Sequence, residues 1–178
     1  MEGTSKVAEQ RNTKARAFMF NVGDTERSAS YVARQIHASW VDNAAKAIFD
    51  RKSLHLPEDK KHIFYLKIYL YCEASVLRVL LTERHDDDRY EELLREFDKL
   101  IFPTGRTVEK LEALKLAVKD LDALFTEKKE LSWCRNWFQS IGYDETNPEG
   151  LFVFGQIIGL NTSSLREMLH EIVPPKSK

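Results

Sequence analysis

The sequence predicts an all-α protein, a bundle of helices followed by a short C-terminal helical unit, and three observations carry that prediction. Apolar residues recur at three- and four-residue spacing along most of the chain. Glycine and proline are scarce, 7 and 5 among 178 residues, and no glycine falls between Gly23 and Gly105, so long helices can run uninterrupted. Strict two-residue alternation is absent, and no strand is predicted.

The first helix starts at Asp24 or Thr25, either of which can cap it. It runs to about Arg51 with Val32, Ile36, Trp40, Ala44, Ala47 and Ile48 on one stripe. The second opens at Pro57, with Glu58 and Asp59 in a favourable acidic first turn, and continues to about Arg84. It is apolar almost all round, from Ile63 and Phe64 to Leu80 and Leu81, which places it at the centre of the bundle. The run Asp86, Asp87, Asp88 opens a third helix through Tyr90, Leu93, Leu94, Phe97, Leu100 and Ile101, and Pro103 and Gly105 close it. A fourth, from Thr107 to Thr126, carries Leu111, Leu114, Val118, Leu121 and Phe125 as a narrow seam. Fewer than three heptads seldom specify an autonomous coiled coil, so the seam is read as a bundle contact, with a dimer seam as the alternative.

A fifth, shorter helix passes through Trp133, Trp137, Phe138 and Ile141 and ends at Gly142. The organisation predicted is a mobile polar N-terminus (1–23), a helical bundle (24–142), a C-terminal unit (147–173) and a tail (174–178). The aromatic cluster Trp133, Trp137, Phe138 is either the hydrophobic joint between bundle and C-terminal unit or, if exposed, an interaction surface for a partner.

Composition narrows the function classes. With 43% hydrophobic and 31% charged residues the chain can bury a core and stay soluble. The 27 basic and 28 acidic residues cancel to a net −1, so no global field marks a nucleic-acid or membrane binder, and any such role must come from a local patch. The most apolar stretch, Ile63 to Leu81, contains Lys67, Glu73 and Arg78, which are costly at bilayer depth. Cys72 and Cys134 are far apart and suggest neither a disulfide framework nor a zinc motif. A cytoplasmic protein with no membrane partner is the expectation.

In the C-terminal unit, Asn147-Pro148-Glu149 reads as an N-cap, a first-turn proline and an acidic first turn. The helix so begun reaches Ile158, and Gly159 is placed to end it. Asn161 or Thr162 can then cap a second helix, Ser163 to Ile172, with Leu165, Met168, Leu169 and Ile172 inside. Gly155, Gly159, Leu160 and Leu165 match in spacing the small residue, turn glycine and apolar anchors of a known motif, and the segment resembles a helix-turn-helix DNA-binding unit. That resemblance, confined to about 147–173, implies a helical hairpin whose second helix enters the major groove of duplex DNA. The residues it offers to DNA are Asn161, Thr162, Ser163, Ser164, Arg166, Glu167 and His170, with Arg166 against guanine or phosphate. One departure is the charge: residues 151–178 carry a net of only +1, where phosphate neutralisation normally demands more. The alternative is a plain helical hairpin that completes the bundle.

Other chemistry is sparse. Lys67, Arg78 and His85 lie near one stripe of the second helix and either bind an anion or, as expected, face solvent or pair with acidic residues of neighbouring helices. Glu73 lies on another face and suits a buried partner for a base. Asp86 to Asp88 lack the spaced ligands and glycine of a calcium loop and serve better as a helix cap. No metal, cofactor or catalytic residue is assigned. The sequence therefore leads to a small non-enzymatic DNA-binding or transcription-regulatory protein, a dimer in that reading, and, as the alternative, to a helical interaction or assembly factor with no nucleic-acid role.

Overall fold

The computed structural model describes residues 18–50, 57–83, 87–127, 139 and 148–173. Helix dominates these residues, as the apolar spacing predicts, but a small sheet precedes the first helix. β1 (Met19–Val22) and β2 (Thr25–Ser28) pair antiparallel, with Met19 opposite Ser28 and Val22 opposite Thr25. Gly23 and Asp24 turn the chain, and Gly23 takes φ +60°, which glycine adopts without a Cβ clash. The expectations of no strand, and of a first helix starting at Asp24 or Thr25, are thereby corrected. A two-residue Gly-X loop is a hairpin signal, and strands of four residues are too short to display a clear alternation. Phe20 is buried and anchors the hairpin to the core, so these residues do not belong to a loose tail.

Ser28 caps α1 (Ala29–Ile36), its hydroxyl accepting from the Tyr31 backbone N–H at 3.3 Å. The helix passes through a π-helical turn (His37–Asp42) into α2 (Asn43–Phe49). There the Asn43 N–H bonds the Ala38 carbonyl, five residues back, so the turn holds one residue more than an α-turn. Val32, Ile36, Ala44 and Ile48 are buried as their spacing predicts. The extra residue brings Val41 and Ala45 inward as well, leaving Trp40 half-buried and Ala47 exposed.

After Pro57 and a single 3₁₀ turn, α3 (Lys61–Glu83) runs through the middle of the molecule. It packs against α2, the π-helical turn and the three later helices, which is why Glu73 and Ser75 are buried along with its apolar residues. The Asp87 carboxylate caps α4 (Asp88–Ile101), accepting from the Arg89 backbone N–H at 2.9 Å, the helix-start role expected of the acidic run. Tyr90, Leu93, Phe97 and Ile101 are buried, and α4 packs chiefly against α1. A tight turn follows, with Gly105 at φ +98°. Then α5 (Val108–Glu127) lays Leu114, Ala117 and Leu121 on α3, so its seam makes a contact within the fold.

The C-terminal unit differs from expectation. Pro148–Ile172 form one helix, α6, with no turn at Gly159, so the helical hairpin is corrected to a single rod. The inner residues explain the continuity. Ile158, Thr162, Leu165, Leu169 and Ile172 are buried at spacings of four, three, four and three, one stripe that crosses Gly159 without a change of phase. Gly159 does not take the positive φ of a helix-ending glycine. The Thr162 hydroxyl, expected as a cap, instead donates back to the Ile158 carbonyl at 2.9 Å within the helix.

Candidate functional site

Both α4 and α5 rest on α3 and hardly touch each other, because the turn at 102–107 lets them diverge. Between them lies a cleft of about 470 Å³. Its floor is Leu77 and Leu81 of α3, and its apolar walls are Leu94 and Phe102 on one side and Leu111, Leu114 and Val118 on the other. Glu91, Arg95, Asp98, Arg106 and Lys115 form a charged rim. A volume in this range, with apolar walls and a few polar groups at the edge, has the character of a binding site.

The turn between α4 and α5 contributes Phe102 and Arg106 to the cleft lining. Arg106 grips Asp98 through two nitrogens, at 2.8 and 3.2 Å. Lys110 donates to the Ile101 carbonyl at 2.8 Å and to Glu73 Oε1 at 3.0 Å. Its Nζ also lies 5.5 Å from the centre of the Phe102 ring. This single lysine therefore caps α4, pins α5 and neutralises the buried carboxylate of α3, and Glu73 has the basic partner its position suggested. Burial raises the Glu73 carboxyl above its ordinary value, and Lys110 opposes that shift. Arg78 likewise pairs with Asp122, and Tyr71 donates to Asp120 at 2.7 Å, so these two residues of α3 meet acidic residues of α5. His85 lies outside the described residues.

A second polar group surrounds the π-helical turn. The Tyr69 hydroxyl donates to Asp42 at 2.7 Å, and the two ring nitrogens of His37 lie 3.3 Å from Asp42 and 3.4 Å from Tyr69. The His37 ring also packs 5.9 Å from Phe97. Burial and the Asp42 carboxylate raise the Tyr69 hydroxyl well above its ordinary value, so its proton stays in place. The arrangement ties α1 and α2 to α3 and presents no activated nucleophile.

The residues offered to DNA fall on α6 and are not gathered at a helix start. Asn161 to Ser164 occupy mid-helix positions. Thr162 is buried, whereas Ser163 and Ser164 are exposed. The Ser164 hydroxyl accepts from the Trp40 indole at 2.9 Å. Arg166 donates to Glu83 Oε1 at 2.6 Å and His170 lies 2.9 Å from Oε2 of the same carboxylate, while Glu167 is exposed. These partners on α1–α2 and α3 could not be read from local spacing. Trp133, Trp137 and Phe138 lie outside the described residues.

The cleft escaped the sequence reading because its residues look like any other bundle interior. Only the surplus of apolar residues around α3, more than two neighbouring faces require, signalled it. Among the described residues, no helix is long and apolar enough to cross a membrane, and no group of three or more histidine, cysteine or acidic residues is arranged to hold a metal ion. Comparison with protein-family models, with curated proteins and with solved structures found no match.

Proposed function

We propose that this protein is a non-enzymatic helical interaction factor that holds an apolar segment of another polypeptide in the cleft between α4 and α5. The open cleft over α3 supports this reading most directly. It leaves Leu81 42% exposed in the middle of a leucine-lined trough. The competing DNA-binding reading depends on Arg166 and its neighbours, whose polar groups already serve contacts within the fold.

A photo-crosslinking residue placed at Leu81 or Val118 should capture one and the same polypeptide in cells, and Leu81→Glu should abolish capture from Val118. A crosslinker at Leu66, exposed elsewhere on α3, should not capture it. In parallel, fluorescence anisotropy with mixed-sequence duplex DNA should show no binding at low salt. Salt-sensitive DNA binding that drops with Arg166→Ala would replace the interaction reading with the DNA one.

A further inference from the structure

The two walls of the cleft are held in different ways. α4 packs against both α1 and α3, whereas among the described residues α5 packs chiefly on α3. Its apolar contact, through Leu114, Ala117 and Leu121, covers the middle of the helix. A helix resting on one neighbour takes a crossing angle within a scatter of about 20° unless other ties fix its ends. Such ties are present on α5. Far from the turn, Asp120 accepts from Tyr71 at 2.7 Å and Asp122 from Arg78 at 2.6 Å. At the turn, Lys110 donates to the Ile101 carbonyl at 2.8 Å and to Glu73 Oε1 at 3.0 Å.

Lys110 differs from the other ties because its two bonds reach both of the other elements that bound the cleft. Ile101 is the last residue of α4, and its carbonyl is one of those a helix leaves without an internal partner. Glu73 belongs to α3, the floor, and its side chain is 3% exposed, so it is a fixed anchor. The same ammonium stands 5.5 Å from the ring centre of Phe102, which lines the cleft. We infer that Lys110 is a positioning residue of the cleft: it sets the separation of the α4 and α5 walls at the turn, so that the site is formed before a partner arrives. The inference rests on the interaction reading above and adds the residue that pre-forms the site. A pre-formed site spares the complex the cost of ordering it on binding.

The test measures the two ends of the cleft by double electron–electron resonance on the full chain carrying Cys134→Ser, Cys72 being buried. Nitroxides at Lys99→Cys and Glu109→Cys report the turn end, and at Arg95→Cys and Lys119→Cys the far end, all four positions being exposed. Lys110→Met alone would leave Glu73 charged and unpaired, so the tie is removed by the double variant Lys110→Met, Glu73→Leu. Exchanging a buried ion pair for apolar residues of similar volume generally keeps a protein folded. Glu109 lies eleven residues from Asp120, about 16 Å along the helix, so a swing of about 20° about the remaining ties displaces it by about 5 Å. The turn-end distance should shift or broaden by about that amount in the double variant, while the far pair stays as in wild type. Ile48→Ala, which removes packing in α2 away from both walls, should change neither distance. Capture from a crosslinker at Val118 should fall in the same double variant. An unchanged turn-end distance in the folded double variant overturns the inference. So does a shift of both pairs, which would mark a general loosening, and so does a turn-end shift that leaves capture undiminished. No capture by the wild type overturns the interaction reading, and the distances, read without a partner, still decide what Lys110 does.

Discussion

Glu83, the last residue of α3, holds two side chains of α6 at once: Arg166 at 2.6 Å through one oxygen and His170 at 2.9 Å through the other. Together with the Trp40–Ser164 hydrogen bond at 2.9 Å, this fixes the C-terminal helix both along its length and in rotation.

Glu83→Gln should therefore lower stability by about 1–3 kcal/mol at neutral pH, measured by urea unfolding. Burial opposes ionisation of Glu83, but the hydrogen bonds from His170 and Arg166 outweigh it and hold the carboxyl below its ordinary value. A carboxyl that is more acidic when folded gives its full contribution above its unfolded value, about 4.3, and loses it as pH falls through the lower folded value. The wild-type advantage over Glu83→Gln should shrink across that acid range. An advantage independent of pH would mean that the carboxylate is not what holds α6.

Gly159→Ala distinguishes a continuous helix from a turn. Nothing lies within 4 Å of a Cβ added at Gly159, and its backbone does not take a positive φ. Alanine should then stabilise the protein by about 0.5–1 kcal/mol through helix propensity and a less flexible unfolded chain. A turn at this position would reverse the sign, because alanine pays a steric penalty in the left-handed region.

Lys110→Met removes the counter-charge of Glu73, whose side chain is 3% exposed. The loss should be about 3 kcal/mol at neutral pH, the scale for breaking a buried pair. Burial already raises the Glu73 carboxyl and Lys110 limits the rise, so the variant should raise it further. A carboxyl that is less acidic when folded makes the protein less stable as pH rises through the interval between its unfolded and folded values. Lys110→Met should thus recover part of its lost stability on acidification, where Glu73 becomes neutral. Equal loss at acid and neutral pH would contradict the pairing.

Cys72 is fully buried, and desolvation, with Glu73 beside it, pushes its thiol up to about 12. Iodoacetamide at mildly alkaline pH should leave Cys72 unmodified in the native protein and label it in urea, as read by peptide mass spectrometry. Rapid labelling without denaturant would show that α3 opens locally far more often than its burial implies.

The legible part of this fold was whatever a single helix declares about itself. The start of α4 was legible in the run Asp86 to Asp88 and its end in Pro103, and the start of α5 in Thr107. The burial of Leu93, Phe97, Leu114 and Leu121 followed from periodicity alone. What remained hidden depends on residues distant in sequence. Gly159 had the spacing of a turn, yet Leu165 and Leu169 continue the buried stripe of Ile158, and that packing overrides the local signal. Arg166 looked available for a ligand because its partner Glu83 lies 83 residues away. The cleft was hidden for a related reason: leucine spacing states that a face is apolar, and only the spread of α4 from α5 leaves part of that face uncovered.

The π-helical turn gives the N-terminal rod a change of phase. Before it, α1 faces α4, and after it, α2 faces α3 and α6. A single rod can serve both addresses because one surplus residue resets its angular register by about 100°. Deleting one residue between His37 and Asp42 would leave a better α-helix pointed the wrong way. What looks like a local irregularity therefore acts as the joint by which two differently oriented halves of the bundle share one backbone.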